Sequence, residues 1–127
     1  MTLIEMTVII LVLLVMTTVL WFGASSWKSG TDRARCIMNI RQMQVSVRAY
    51  SNTTPHQPGT DLGVLVPPVN LLAELVGPGD YVPELPHCPS NGIYHFGGDV
   101  IPEVGQLYMQ CSLASSRRHV PQDYSNW

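Results

Sequence analysis

Hydrophobic and polar positions divide the 127-residue chain into three stretches. From Met6 to Trp27, 22 residues pass without a charge. At about 1.5 Å per residue, that run makes a helix of roughly 33 Å, enough to cross a bilayer core of about 30 Å. Trp21, Phe22 and Trp27 stand toward its end, where aromatic rings favour the membrane interface. A cleaved secretory signal is the competing reading. Its apolar core is only about 7–15 residues long and follows basic residues, and nothing basic precedes this run.

The second stretch continues the helix. Residues 28–52 contain no proline and a single glycine, Gly30. Cys36, Ile40, Met43, Val47 and Tyr50 recur at helical spacing and define one apolar stripe. Ala34, Met38, Val45 and Ala49 form a narrower stripe on the opposite side, with Arg41 and Arg48 at its edge. An ordinary surface helix buries one face, so two apolar faces ask for two partners. The first stripe suits the remainder of the chain. The second, with Met38, Arg41, Val45 and Arg48, is assigned to contacts between subunits. Residues 1–52 read as one helix of roughly 75 Å.

The third stretch, residues 53–127, is a small head. Pro55, Pro58 and Gly59 mark a loop; Asn70 is placed to cap a short helix from Leu71 to Val76, with Gly77 as its stop. Residues 93–96 and 106–111 read as two strands, and the polar end from Ser115 to Trp127 as extended or loosely packed. The expected fold class is α+β. A long N-terminal helix, half transmembrane (1–27) and half amphipathic (28–52), packs on a head with a short antiparallel sheet (53–127).

Charge changes this picture in two places. The net charge of −2 hides a basic middle and an acidic head. Lys28, Arg33, Arg35, Arg41 and Arg48 face only Asp32 in residues 28–48, whereas seven carboxylates face Arg117 and Arg118 beyond them. Basic residues following the apolar run would hold the head in the cytoplasm. An exported head therefore requires a basic leader that stood before Met1 and was removed. Glu5 is the second place. A carboxylate at that depth costs about 2.5–3.5 kcal/mol and needs a partner or a proton. Residues 1–27 hold no Lys, Arg or His, so the available cation is an α-amino group, and a neighbouring subunit's is the natural one. The alternative is that Glu5 snorkels to the interface.

Met1-Thr2-Leu3-Ile4-Glu5 followed by the apolar run resembles the start of mature type IV pilins and type II secretion pseudopilins. Those chains usually begin Phe-Thr-Leu-Ile-Glu. The resemblance implies that a prepilin peptidase cuts before Met1 and methylates the new N-terminus, and that Glu5 serves assembly. It further implies partners: an assembly ATPase, a platform protein, the inner membrane before assembly, and further copies of the chain in an extracellular filament or a periplasmic pseudopilus. Two departures are Met1 for Phe, and Phe22-Gly23 where many members carry a proline.

Cys88-Pro89-Ser90-Asn91-Gly92-Ile93-Tyr94, a later Cys111-Ser112 and His119 are similar to a subgroup of pilin-like proteins with a Cys-Pro-x-Gly-Gly-x-Tyr stretch. Asn91 replaces that subgroup's first glycine. In an exported head, Cys88 and Cys111, flanking the hairpin, are the disulfide candidates, and the loop they close would contribute about 3 kcal/mol. Cys36 lies on the stripe facing the head and is an alternative partner for either, so three pairings stay open.

Other chemistry finds little footing. No phosphate-binding loop, dinucleotide fingerprint or H-E-x-x-H occurs, and neither a cofactor nor an enzymatic activity is expected. His87, His95 and His119 lie near the cysteines in sequence, but their spacings match no zinc pattern. They are assigned to the head surface, and no metal is expected. Arg117-Arg118-His119 sits on an acidic head, which disfavours nucleic acid. Asn52-Thr53-Thr54 is a glycosylation sequon at a helix end. The functional expectation is a structural subunit that polymerises through its N-terminal helix into a type IV pilus-like filament. A major pseudopilin, or an anchored binding module that does not polymerise, is the alternative.

Overall fold

The computed structural model describes residues 2–127, and the expectations attached to Met1 lie outside the described residues. The chain is α+β. A 51-residue helix, α1 (Leu3–Thr53), is followed by a short helix α2 (Leu71–Leu75) and two strands, β1 (Tyr94–Phe96) and β2 (Met109–Cys111). By its internal contacts the chain divides into two units, residues 1–31 and 32–127.

The first unit carries the N-terminal part of α1. Each residue from Thr2 to Thr31 is exposed, including the whole apolar run. Among the described residues this is one helix long and apolar enough to cross a membrane, and its apolar window is unburied. Thr7, Thr17, Thr18, Ser25, Ser29 and Thr31 turn their hydroxyls back onto carbonyls three or four residues earlier. That device lets polar side chains sit in an apolar segment without unpaired donors. No break occurs at Phe22-Gly23; the helix runs through it.

The second unit is built on the rest of α1. The expected stripe is its core: Cys36, Ile40, Met43, Val47 and Tyr50 are all buried. They pack with Leu62, Leu71, Leu75, Val82, Ile101, Tyr108 and Met109 from the head. A fully buried Ile, Val or Met side chain of this kind contributes about 1.5–3 kcal/mol. The opposite stripe stays open, with Met38 69% and Val45 60% exposed.

Asn70 caps α2 as expected, its side chain accepting from the Ala73 N–H. The helix stops one residue earlier than the sequence reading, with Val76 as its C-cap. The strands are also shorter than expected. β1 and β2 pair antiparallel with Tyr94 opposite Cys111, His95 opposite Gln110 and Phe96 opposite Met109. A three-residue ladder suffices because α1, not the sheet, supplies the central packing surface.

Side chains of α1 also read the head backbone. Gln44, 2% exposed, donates from Nε2 to the Gln106 carbonyl and accepts from the Tyr108 N–H through Oε1, both at 2.9 Å. Arg48 donates to the carbonyls of Pro102, Glu103 and Trp127 at 2.7–2.9 Å. The C-terminal tail is therefore tied down, not loosely packed. The Trp127 carbonyl also accepts from the Gly105 N–H, and Arg41 lies 5.6 Å from the Trp127 ring centre.

Candidate functional site

Two places carry chemistry: the start of α1, and a buried cluster where α1 meets the head. Thr2 and Glu5 make the first. The Glu5 carboxylate accepts from the Thr2 N–H at 3.4 Å, while the Thr2 carbonyl accepts the first helical bonds from Glu5 and Met6. This is half of a capping box, in which an N-cap Thr and a Glu three residues on satisfy orphan donors of the first turn. The signal for it in the sequence is the T-x-x-E spacing of Thr2 and Glu5 ahead of an apolar run.

The cluster begins with Cys36, on the first stripe of α1 and fully buried. Cys88 is brought to it by a turn. Asn91 N–H donates to the Cys88 carbonyl, and Asn91 itself has φ +60°. That left-handed conformation is open to glycine and, among side-chain-bearing residues, best to asparagine. The position therefore tolerates Asn91 where the similar subgroup carries glycine. Gly92 follows, and a Cβ there would lie 2.7 Å from the Cys111 sulfur and 3.1 Å from that of Cys88. Cys111 arrives at the end of β2, opposite Tyr94. His119 comes from the tail, in a turn made by Arg118 at φ +55° and fixed by Arg33 Nε donating to the Arg118 carbonyl.

These four side chains converge. One donor atom from each of Cys36, Cys88, Cys111 and His119 lies within 4.8 Å of the others, and all four residues are buried. Cys88 Sγ and Cys111 Sγ are 3.9 Å apart, and Cys88 Sγ is 3.5 Å from His119 Nδ1. Tyr94 donates its hydroxyl to Cys36 Sγ at 3.4 Å and itself accepts from Asn39. The disulfide candidates Cys88 and Cys111 are thus brought together with the alternative partner Cys36, and in this structure the three thiols are unbonded, where a sulfur–sulfur bond would span about 2.05 Å. The expected surface position of His119 is also corrected, since it is 2% exposed. His87 and His95 do stand on the surface.

The thiols are not equivalent. Burial pushes Cys36 up to about 12, with the Tyr94 hydroxyl opposing. Burial also raises Cys111, against the Leu113 N–H. At Cys88 burial is outweighed by the N–H groups of Ser90 and Gly92 and the neighbouring thiols, and its pKa falls below the ordinary value. Burial, then the charges of Arg117 and Arg33, lower that of His119, so its imidazole is neutral near pH 7.

The residues assigned to subunit contacts divide. Met38, Arg41 and Val45 are exposed on α1. Arg48 is not available: its fork is spent on three carbonyls of its own chain, with Nε buried and unpaired. Burial lowers its pKa, yet a guanidinium remains charged. Comparison with protein-family models, curated proteins and solved structures returned no match.

Proposed function

We propose that this chain is a structural subunit that enters a membrane by its N-terminal helix and then polymerises through it into a type IV pilus-like extracellular filament. The observation that carries the reading is the run Thr2–Thr31, exposed throughout while its charge up to Trp27 is confined to Glu5. An apolar helix of this length needs a bilayer or other helices around it. A filament core supplies the second after the first is left. The exposed stripe with Met38 and Val45 extends the same demand beyond the membrane-length segment, which an anchor alone leaves unexplained.

In this reading Glu5 pairs with the α-amino group of a neighbouring subunit, and a prepilin peptidase, an assembly ATPase and a platform protein act on the chain. The pairing rests on the lack of any Lys, Arg or His in residues 1–27, and the assembly partners on the N-terminal resemblance. The test is electron microscopy of sheared surface material from cells carrying wild-type or Glu5→Ala chains, with mass spectrometry of the filament N-terminus. Filaments from the wild type, with Glu5→Ala inserted in the membrane but unassembled, are expected. Chains of both kinds that insert and never form filaments would leave the anchored module in its place.

A further inference from the structure

We propose that Cys36, Cys88, Cys111 and His119 form a structural zinc site that fastens α1 to the head. The inference concerns residues 32–127 alone and stands whether or not the chain forms filaments.

Distance is the first argument. Zinc bound tetrahedrally at about 2.3 Å from sulfur and about 2.05 Å from nitrogen sets sulfur–sulfur edges near 3.8 Å and sulfur–nitrogen edges near 3.5 Å. The Cys88–Cys111 separation is 3.9 Å and the Cys88–His119 separation is 3.5 Å. The widest separation in the set, at most 4.8 Å, closes to such an edge with a shift of about an ångström. A disulfide would instead pull two sulfurs to about 2.05 Å and leave a third buried thiol and a buried imidazole without a role.

The surroundings make the second argument. The missing Cβ of Gly92 leaves the room in which its backbone approaches both sulfurs. Three thiolates, a neutral imidazole and Zn²⁺ carry a net charge of −1, and the charges that act on His119 are the cations Arg117 and Arg33 and the anion Asp32. Four protein donors in a buried site leave no open position for substrate. Soft sulfur ligands in a tetrahedral Cys3His set select zinc over magnesium or calcium. Each thiol gives up its proton to the solvent as the metal enters.

The donors come from α1, the turn before β1, the end of β2 and the C-terminal tail. One ion at their meeting point would cross-link four segments that a single disulfide can join only in pairs. This explains how a head with two three-residue strands holds its tail.

The test uses the full chain, purified in mild detergent under reducing, chelator-free conditions. Elemental analysis is expected to give one zinc per chain. Co²⁺ exchanged into the site should show the intense visible bands of tetrahedral thiolate coordination, and chelator treatment should lower the melting temperature. His119→Ala and Cys36→Ser should each weaken zinc retention by at least about tenfold, while His119→Cys, which restores a four-donor set, should keep the metal. A wild-type chain that is folded, carries no zinc and takes up none when Zn²⁺ is added would overturn the proposal. So would a Cys88–Cys111 or Cys36-containing disulfide found by intact and peptide mass in the chain taken from its native compartment.

Discussion

Two adjacent residues in the Cys88 turn are held by different constraints, and they separate cleanly in experiment. Asn91 is held by backbone angle, because φ +60° excludes β-branched side chains. Asn91→Gly should leave stability within about 0.5 kcal/mol, whereas Asn91→Val should cost about 1–2 kcal/mol. Gly92 is held by space: the added methyl of Gly92→Ala would meet two sulfurs and the Leu113 side chain within 3.1 Å. A loss of about 1–3 kcal/mol is expected from that overpacking, read from denaturant midpoints on the full chain. A Gly92→Ala loss no larger than that of Asn91→Gly would mean that the sulfurs do not constrain the position. Gln44 is the other residue whose role is local and strong. Gln44→Leu keeps the volume roughly but strands the Tyr108 N–H and the Gln106 carbonyl, and about 2–3 kcal/mol should be lost.

At the scale of elements, α1 does the organising, and its two arginines play different parts. Arg41 and Arg48 share an edge of the helix, but Arg48 serves three carbonyls of its own chain while Arg41 stands exposed beside Trp127. Arg48→Gln should therefore destabilise the second unit by about 1–3 kcal/mol, with little dependence on salt, since its acceptors are neutral. Arg41→Gln should leave the melting temperature nearly unchanged and act, if anywhere, on assembly. The buried stripe of α1 was legible because Cys36, Ile40, Met43, Val47 and Tyr50 repeat with the helical period. Gln44 was not, since a buried amide is chosen by the backbone it meets, and that backbone is 62 and 64 residues away. The same reason hid the cysteine–histidine cluster. Local zinc patterns rely on two donors a few residues apart, and here each donor comes from a separate segment. His119 lies in a polar tail held by Arg33 and Arg48, contacts that the tail's own sequence does not announce. The sequon at Asn52 does fall on an exposed residue near the end of α1, consistent with its expected accessibility.

For the whole molecule the decisive residue is Glu5, which has a capping bond in the structure and a second, separable job in the proposed assembly. As a cap it accepts from the Thr2 N–H, a bond of 3.4 Å whose loss would cost a helix start about 0.5–2 kcal/mol. As a charge in an apolar segment it costs about 2.5–3.5 kcal/mol on insertion, which a proton or a cationic partner can relieve. Glu5→Ala removes both roles and cannot tell them apart. Glu5→Gln keeps an acceptor of the same length, which capping boxes accept as readily as glutamate, and removes the charge. If pairing with a neighbour's α-amino group drives assembly, Glu5→Gln chains should insert at least as well as wild type and still give no filaments. If the capping bond is what matters, Glu5→Gln should assemble at near wild-type yield and Glu5→Ala should not. Filament mass from sheared cells, normalised to membrane-inserted subunit, decides between them. The pairing account survives only if Gln behaves like Ala.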